Sequence, residues 1–490
     1  MSAALILTFV GLYFLGLLVI AACTSRRADS RAYFLANRDS PWWLIAFGLI
    51  GDSLSGVTFI SVPGEVGTRQ FAYLQVVLGY VLGYLVIAHV LLPLYYRHGL
   101  TSIYTYLGRR LGPAAQKTGA FYFVLSRTLG AAARLYLAVS VFQTFVFNQW
   151  RIPFWLTTSV VIAMMLIYTY RGGIKTLVWT DLLQSSLLLL GLVLSIVTLM
   201  RGLKLDLPGA VRLVTDGPVS QVFFWDWRAP NYFWKQFLSG AFIAIVMTGL
   251  DQNMMQKNLS CRSLSEAQKN IHAFIPVLVV VNLLFLSLGA LLHEFARVQG
   301  IAVPARTDLL FPTLALEHLG WFASIVFILG LTAATFNSAD SVLTTLTTSF
   351  CIDFLRVEER PDVDEARRTT LRHRTHLSFA IILLAVILGF RAASRESVIQ
   401  LVLKIAGYTY GPLLGLFAVS LVGRQSLRGA WVPVVCGASP LICYVLDQTS
   451  EKWLHGYRFG FELLMLNGAL TALGLWWVRD RSRGRASPAT

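Results

Sequence analysis

The sequence predicts an all-α membrane protein with about thirteen transmembrane helices. Hydrophobic residues make up 56% of its 490 residues, whereas charged residues make up only 13%. Its apolar stretches repeatedly reach the roughly 20 residues that a helix needs to cross a bilayer. A helix also pairs its backbone polar groups within one segment, as lipid requires. We therefore expect a multi-pass protein of the plasma (inner) membrane.

The expected spans follow one another along the whole chain. They lie near residues 3–23, 41–63, 70–98, 118–148, 153–170, 177–200, 233–255, 271–296, 319–353, 373–391, 397–422, 430–446 and 457–478. Loops after odd-numbered spans, together with the C-terminal tail, hold roughly 25 Lys and Arg residues, against roughly 12 in the alternate loops. Because basic loops stay in the cytoplasm, we expect the N-terminus outside and the C-terminus in the cytoplasm.

Charge and cysteine patterns exclude several classes of protein. The formal net charge is +16, but Lys and Arg lie in short loops and form no basic domain, so we expect no nucleic-acid partner. The five cysteines show neither a CxxC pair nor metal-ligand spacing. Arg26 and Arg27 follow the first apolar segment rather than precede it, which favours a retained helix over a cleaved signal peptide. No obligatory protein partner is evident, and the expected partners are a small-molecule solute and the lipid bilayer.

Ionisable residues within the apolar spans are functional candidates, because a charged side chain is costly inside a bilayer. The predicted spans contain few of them: Asp52, Arg127, Arg134, Asp181, Asp251, Asp340 and Lys404. The eight histidines show no HExxH or similar spacing that would indicate a metal-dependent enzyme. We therefore expect a transporter and not an enzyme.

The ninth span carries a polar face within "LTAATFNSADSVLTTLTTSFCIDF", residues 331–354. Positions 334, 337, 338, 341, 345 and 348 share one side of a helix, and all but the first offer a side-chain oxygen. Ser and Thr in membrane helices often serve only to hold helices together, and this alternative stays open for them. Asn337 and Asp340 add strong oxygen ligands of the kind that a hard cation such as sodium prefers.

Two spans have the composition of interrupted helices. In "PWWLIAFGLIGDSLSGVTFISVPG", three glycines surround Asp52 at mid-depth, which favours either an unwound turn or close helix packing. A second break is expected around "VMTGLDQNMMQ" in the seventh span, five spans later. A pair of interrupted helices at matching places in two halves indicates the binding site of a transporter rather than the open pore of a channel.

Three motifs carry a family resemblance. "RAYFLANRD" precedes the second span, "GGIKTLVWTDLLQ" enters the sixth and "GLDQNMMQKNLS" leaves the seventh. In this order they resemble the sodium:solute symporter family, which includes sodium/glucose, sodium/proline, sodium/sialic acid and sodium/iodide transporters. The resemblance extends from about Ala32 to the eleventh span.

The resemblance implies a LeuT-like fold of two inverted five-helix repeats, with broken helices in spans two and seven. Residues 41–200 would form repeat one, and residues 201–422 would form an outer loop and repeat two. Residues 1–40 and 423–490 would be peripheral, so that 1–490 is a single membrane transport domain. Sodium would drive solute entry by alternating access.

The resemblance also implies a sodium site between the second and ninth spans. Its ligands would be the carbonyls of Gly51, Leu54 and Ala334 with the side chains of Asn337 and Ser338. The family usually has a hydroxyl where Asn337 stands, although an amide oxygen can also coordinate sodium.

A second cation or a proton is implied by the resemblance to sialic acid transporters. The corresponding residues are Asp181, Ser341 and Asp340, the last of which replaces a hydroxyl. Two carboxylates facing one site would repel each other unless a cation or a proton lay between them. The cofactor expectation is therefore one sodium ion or two.

The solute is expected at mid-membrane between the broken helices and the fourth and eleventh spans. The resemblance assigns it the residues Ser53, Ser55, Thr58, Gln75, Arg127 and Lys404. Arg127 and Lys404 favour an anionic or zwitterionic solute such as a carboxylate, an acid sugar or an amino acid, although a structural pair of Lys404 with an aspartate stays open. The expected function is sodium-driven import; the alternatives are proton coupling through Asp52 or Asp340, and a neutral sugar as solute.

Overall fold

The computed structural model describes residues 3–24, 36–357, 364–393, 398–422 and 427–479. Its regular structure there is helical, with two isolated β-bridges. The α-helices are α1 (Ala3–Thr24), α2 (Trp42–Ser53), α3 (Gly56–Arg69), α4 (Tyr73–Val86), α5 (Leu92–Arg97), α6 (Tyr104–Leu111), α7 (Pro113–Phe142), α8 (Phe154–Gly202), α9 (Leu207–Asp216), α10 (Phe233–Ala244), α11 (Gln252–Asn258), α12 (Leu264–Val298), α13 (Leu310–Thr313), α14 (Gly320–Ser349), α15 (Glu365–Ala393), α16 (Val398–Thr409), α17 (Gly411–Val422), α18 (Trp431–Trp453) and α19 (Leu463–Trp477). Arg26, Arg27, the first part of "RAYFLANRD" and the tail from residue 480 lie outside the described residues.

Short helical segments of other pitch join several of these helices. Three are 3₁₀ turns: Ala36–Arg38, Asn148–Trp150 and Thr307–Leu309. Five are π-helical turns: Ile87–Leu91, Gln143–Phe147, Ile245–Gly249, Leu314–His318 and Phe350–Phe354. Such wide turns inside α-helices often mark functional sites. The turn Ile245–Gly249 ends just before one of the helix breaks described below.

Eight helices in the described residues are long and apolar enough to cross a membrane, and the number rises to eleven if each bent helix pair is one span. The two remaining predicted spans coincide with shorter apolar helices, Phe154–Thr169 and Leu463–Trp477. The first of these joins the following span within α8 through a kink at Gly173, where φ is +53°. That these two segments cross the membrane therefore stays a prediction, and so does the total of about thirteen spans.

A sharp bend of 52° separates α2 from α3, inside the predicted second span. Leu54 and Ser55 leave the helical conformation here, and Ser55 is extended with φ −72° and ψ 177°. The break follows Gly51 and precedes Gly56, the flanking glycines on which the sequence prediction depended.

A second bend of 68° lies between the turn Ile245–Gly249 and α11, inside the predicted seventh span. Asp251 is extended here and begins α11 as its N-terminal cap, since its carboxylate accepts hydrogen bonds from the backbone N–H groups of Asn253 and Met254.

A third bend of 43° separates α16 from α17 and was not predicted. Pro412 follows this bend, and a proline cannot donate the backbone hydrogen bond that would continue the first helix.

Helix α14 lies at the centre of the molecule. Every side chain from Leu331 to Ser349 is buried, and the helix packs against α1, α2, α3, α7, α8, α11 and α15. Large apolar side chains such as Ile381, Leu441 and Leu473 are instead exposed on outer helices, as a lipid-facing surface requires. The polar face predicted for the ninth span therefore points into protein.

Candidate functional site

A cavity of about 100 Å³ lies where the two helix breaks meet α4 and α7. Its polar lining residues are Asp52, Ser53, Ser55, Thr58, Tyr73, Tyr80, Tyr84, Arg127, Arg134, Thr248 and Asn282. Helix α16 contributes an apolar wall through Ile399, Val402 and Leu403. Of the predicted solute residues, Ser53, Ser55, Thr58 and Arg127 thus face one common space.

Tyrosine hydroxyls connect the walls of this cavity. The Tyr84 Oη atom lies 3.4 Å from Ser53 Oγ and 3.1 Å from Thr248 Oγ1, so it joins the two broken helices. The hydroxyls of Tyr73 and Tyr80 lie 3.3 Å apart on the same helix α4. The cavity can therefore offer several hydroxyl groups to a polar solute.

The two arginines of α7 differ in their surroundings. Arg127 donates two hydrogen bonds to the Asp251 carboxylate, at 2.6 and 2.8 Å, and Tyr410 Oη donates a third to it at 2.6 Å. Arg134 follows two helical turns later on the same side of α7 and also lines the cavity. Within the described part of the chain it makes no hydrogen bond or ion pair. Sequence reasoning noted Arg134 without assigning it to the site, although its spacing from Arg127 was the available signal.

Two predicted solute residues, Gln75 and Lys404, are not among the residues that line the central cavity. Gln75 is buried and donates to the backbone oxygens of Ala72 and Asn231, so it fixes the loop between α9 and α10 onto α4. Lys404 is exposed and lines a separate cavity of about 400 Å³ beside Asp447. The reason is helical geometry, because α16 turns its apolar side to the central cavity and Lys404 lies on another side.

The predicted sodium ligands of α2 and α14 are in contact. A Cβ atom added to Gly51 would lie 2.5 Å from Asn337 Nδ2 and 2.6 Å from Ser185 Oγ, so only glycine allows this approach. Asn337 is fully buried, and neither its side-chain oxygen nor its nitrogen has a hydrogen-bond partner among the described residues. A buried amide without partners is unusual and requires an explanation, such as a bound ion.

The other predicted sodium ligands surround this contact. Ser338 Oγ donates to the Ala334 carbonyl at 3.1 Å, and the Gly51 N–H donates to Ser185 Oγ at 3.1 Å. Leu54 lies at the helix break and lines the cavity. Sodium binding by this set stays a prediction.

The predicted second cation position contains a residue that sequence reasoning missed. The Lys257 ammonium donates to Asp52 Oδ2 at 2.5 Å, to Asp181 Oδ2 at 2.6 Å and to Ser341 Oγ at 2.9 Å. Asp340 lies next to this group, with its Oδ1 accepting from the Ser341 N–H at 2.5 Å. The available signal was the pair of aspartates in apolar segments, since buried carboxylates require a cation nearby.

Comparison with known proteins identifies the class of this chain. The family model described as "Sodium:solute symporter family" matches residues 33–437. The chain belongs to the sodium:solute symporter family. The family assignment made from the sequence is thus confirmed, and so are a transporter rather than an enzyme and sodium as the coupling ion.

Curated relatives in this family carry different solutes in their names. The rabbit (Oryctolagus cuniculus) sodium-dependent multivitamin transporter is 27% identical over 79% of this chain, which spans 61% of that protein. The sodium/sialic acid symporter NanT of Aliivibrio fischeri is 22% identical over 94% of this chain and 90% of its own. Human sodium-coupled monocarboxylate transporter 2 is 23% identical over 84% of this chain and 67% of its own.

Solved structures share the fold. A sodium-coupled sialic acid symporter, described as substrate-bound and outward-open, superposes with a TM-score of 0.79 at 18% identity and covers 96% of both chains. A nucleobase-cation-symport-1 family transporter in a closed conformation superposes with a TM-score of 0.51 at 14% identity, over 91% of this chain and 94% of its own. The all-α transporter fold of this sodium:solute symporter family member is therefore confirmed.

Proposed function

We propose that this family member uses sodium to import a small organic anion or zwitterion by alternating access. The observation that carries the choice of solute is Arg134, whose guanidinium faces the central cavity without a carboxylate partner among the described residues. A cation within a membrane protein is costly unless a counter-charge accompanies it. The solute would supply that charge.

The chemistry of the cavity favours a carboxylate. A guanidinium offers a planar fork of N–H donors that matches a carboxylate in two parallel hydrogen bonds. The other charges on the cavity wall are already paired, Arg127 with Asp251 and Asp52 with Lys257. Monocarboxylate and sialic acid, named for two of the relatives, are acids as well. A carboxylate on Arg134, with the hydroxyls of Ser55 and Thr58 on the rest of the solute, fits this pattern.

An entry route is proposed from the end of the molecule that carries the loop between α9 and α10. A smaller cavity at that end shares Tyr73 and Ile399 with the central one, and Asn231 of the loop lines it. On the opposite side, the Arg127–Asp251 pair, with its atoms 2.6 Å apart, is proposed to close the central cavity. With the N-terminus outside, as the loop charges favour, this arrangement corresponds to an outward-facing state.

The driving sodium is proposed to bind Gly51, Leu54, Ala334, Asn337 and Ser338. The buried amide of Asn337 supports this assignment, because its polar atoms have no protein partner in the described residues. The helix break at Leu54 and Ser55 joins this position to the cavity, where Ser55 and Thr58 face the solute. Sodium binding on one side of the break would therefore order the solute contacts on the other.

Uptake into proteoliposomes tests the proposal, with a sodium gradient in one arm and a proton gradient without sodium in the other. The panel contains carboxylates, acid sugars, amino acids, vitamins and neutral sugars. We expect sodium-dependent uptake of an acid. Uptake driven by protons alone, or a neutral sugar as the preferred solute, would contradict the proposal.

Arg134→Gln is the first specific prediction. Loss of a charge-assisted pair worth about 1.5–3 kcal/mol should lower kcat/KM for the acid by roughly 10- to 100-fold. The carboxamide analogue of the same solute should be transported equally by both proteins, and Arg134→Lys should be intermediate because it keeps the charge but not the fork. Arg212→Gln, at an exposed position on α9, is the matched control. Unchanged transport of the acid by Arg134→Gln would exclude this residue as the solute's partner.

A further inference from the structure

The group around Lys257 contains more negative than positive charge. Three carboxylates, those of Asp52, Asp181 and Asp340, are joined through Ser341 and Lys257 in one hydrogen-bonded group. Within the described residues, Lys257 is the only cation that pairs with these carboxylates, so with all members ionised the group carries a net charge of about −2. All of these side chains are buried.

The Lys257 ammonium is surrounded by oxygen atoms in the way that a bound cation would be. Its three acceptors come from three different helices, α2, α8 and α14, and they use all three of its N–H donors. Two of the acceptors, Asp181 and Ser341, are residues that the sequence assigned to a second cation. Lys257 itself belongs to α11, the second half of a broken helix.

The Asp340 carboxylate is held by other donors and does not need an ion for its own hydrogen bonds. Its Oδ2 accepts from Tyr168 Oη at 2.7 Å and from Gln184 Nε2 at 3.3 Å. Asp181 Oδ1, by contrast, has no hydrogen-bond partner among the described residues. A free cation placed between Asp181 Oδ2 and Ser341 Oγ would have to displace the Lys257 ammonium, which already contacts both atoms.

We propose that the Lys257 ammonium is a tethered cation that fills the second cation position, so that each transport cycle carries one exchangeable sodium ion. This inference rests on the proposed sodium symport and specifies its stoichiometry. The negative charge on these carboxylates is adjacent to the proposed sodium site, because Ser341 Oγ, which contacts Asp52 and Asp340, also lies 3.0 Å from the Asn337 carbonyl oxygen. That charge favours the single sodium at Asn337.

Removal of the tethered charge should create a second sodium site. Lys257→Met keeps most of the side-chain volume but leaves Asp52, Asp181 and Asp340 without their ammonium, and uncompensated buried carboxylates attract a cation strongly. We expect wild type to bind one radioactive sodium ion per protein with a Hill coefficient of 1. The variant should bind two sodium ions, with a Hill coefficient above 1.

Three further variants make the measurement specific. Lys257→Arg keeps the charge and should still bind one sodium. The double variant Lys257→Met with Asp52→Asn removes one charge of each sign. It has less repulsion between carboxylates than Lys257→Met, so it serves if the single variant does not fold. It should bind two sodium ions, one at Asn337 and one at Asp181. Lys269→Met replaces an exposed lysine on α12 and should behave as wild type.

The outcomes separate this inference from the proposed function. Two sodium ions bound by wild type would overturn the tethered cation, and so would one ion bound by both folded Lys257→Met variants. Absence of sodium binding and of sodium-driven uptake in wild type would instead contradict the proposed symport itself.

Discussion

Asn337 is the residue whose chemistry most needs a ligand. Its amide is fully buried at the α2–α14 contact, and no described residue satisfies either polar atom. An unsatisfied buried polar group costs about 1–3 kcal/mol. A protein that only needed to pack two helices here would gain stability from an apolar side chain, so the retained amide favours ion binding.

Asn337→Leu should therefore separate stability from function. Leucine has a similar volume and removes the unsatisfied amide, so sodium-free thermal stability should be equal or higher. The sodium concentration that gives half-maximal uptake should rise about tenfold or more, as expected for the loss of one ligand worth about 1.4 kcal/mol. Thermal unfolding in choline buffer and sodium titration of uptake measure the two effects.

Thr332→Val is the matched control for this substitution. Its hydroxyl is buried on the same helix and donates only to the Ile328 carbonyl, at 2.6 Å, among the described contacts. It should leave sodium dependence unchanged. An Asn337→Leu variant with the sodium dependence of wild type would exclude Asn337 as a ligand.

Among the helices, Asp251 connects α7 with two bent parts of the chain. It caps α11, accepts two hydrogen bonds from Arg127 of α7 and accepts one from Tyr410, which lies at the bend between α16 and α17. Any motion that opens the cavity at this end must break some of these bonds. We therefore expect this network to act as a gate.

Tyr410→Phe should weaken that closure without removing the charge pair. Loss of one hydrogen bond to a carboxylate, worth about 1.5–3 kcal/mol, should increase the population open at this end by roughly tenfold or more. The measurement uses a variant without native cysteines that carries one cysteine in place of Met254, which lines the cavity. A membrane-impermeant thiol reagent added from that side should label this cysteine faster when Tyr410→Phe is also present.

Tyr408→Phe provides the control for the gate. Tyr408 lies two residues earlier and donates to Asp447 at 2.8 Å, outside the central cavity. Its loss should not change the labelling rate. Equal rates in the two phenylalanine variants would show that Tyr410 does not hold the cavity closed.

Across the molecule as a whole, the proposed sodium contact at Gly51 and Asn337 and the proposed solute cavity share the break between α2 and α3. Two ligands that stabilise the same arrangement of one element must raise each other's affinity by the same factor.

Reciprocal coupling between sodium and solute is the prediction that follows. Saturating sodium should lower the Kd of the transported acid by about 5- to 150-fold, and saturating acid should lower the Kd of sodium by the same factor. Each ligand should also raise the midpoint of thermal unfolding, because both bind the folded state. Calorimetry in sodium and in choline checks this, and equal solute affinity in the two salts would contradict the coupling.

The order of the amino acids was enough to predict four features: the membrane class, the helix positions, the break around Asp52 and the polar face of α14. These features depend on local composition and on the period of the helix, which are fixed by neighbours in the chain. The family followed from motifs for the same reason.

Which of the candidate residues meet became evident only from the packed helices. Lys257 pairs with residues 205 and 76 positions away in the chain, and helical periodicity does not show which helix a given face contacts. The same limit explains why the sequence did not show that Arg134 lines the central cavity whereas Gln75 and Lys404 do not. Packing sets the rotation of each helix, and that rotation decides whether a buried charge faces a cavity, a carboxylate or another cleft.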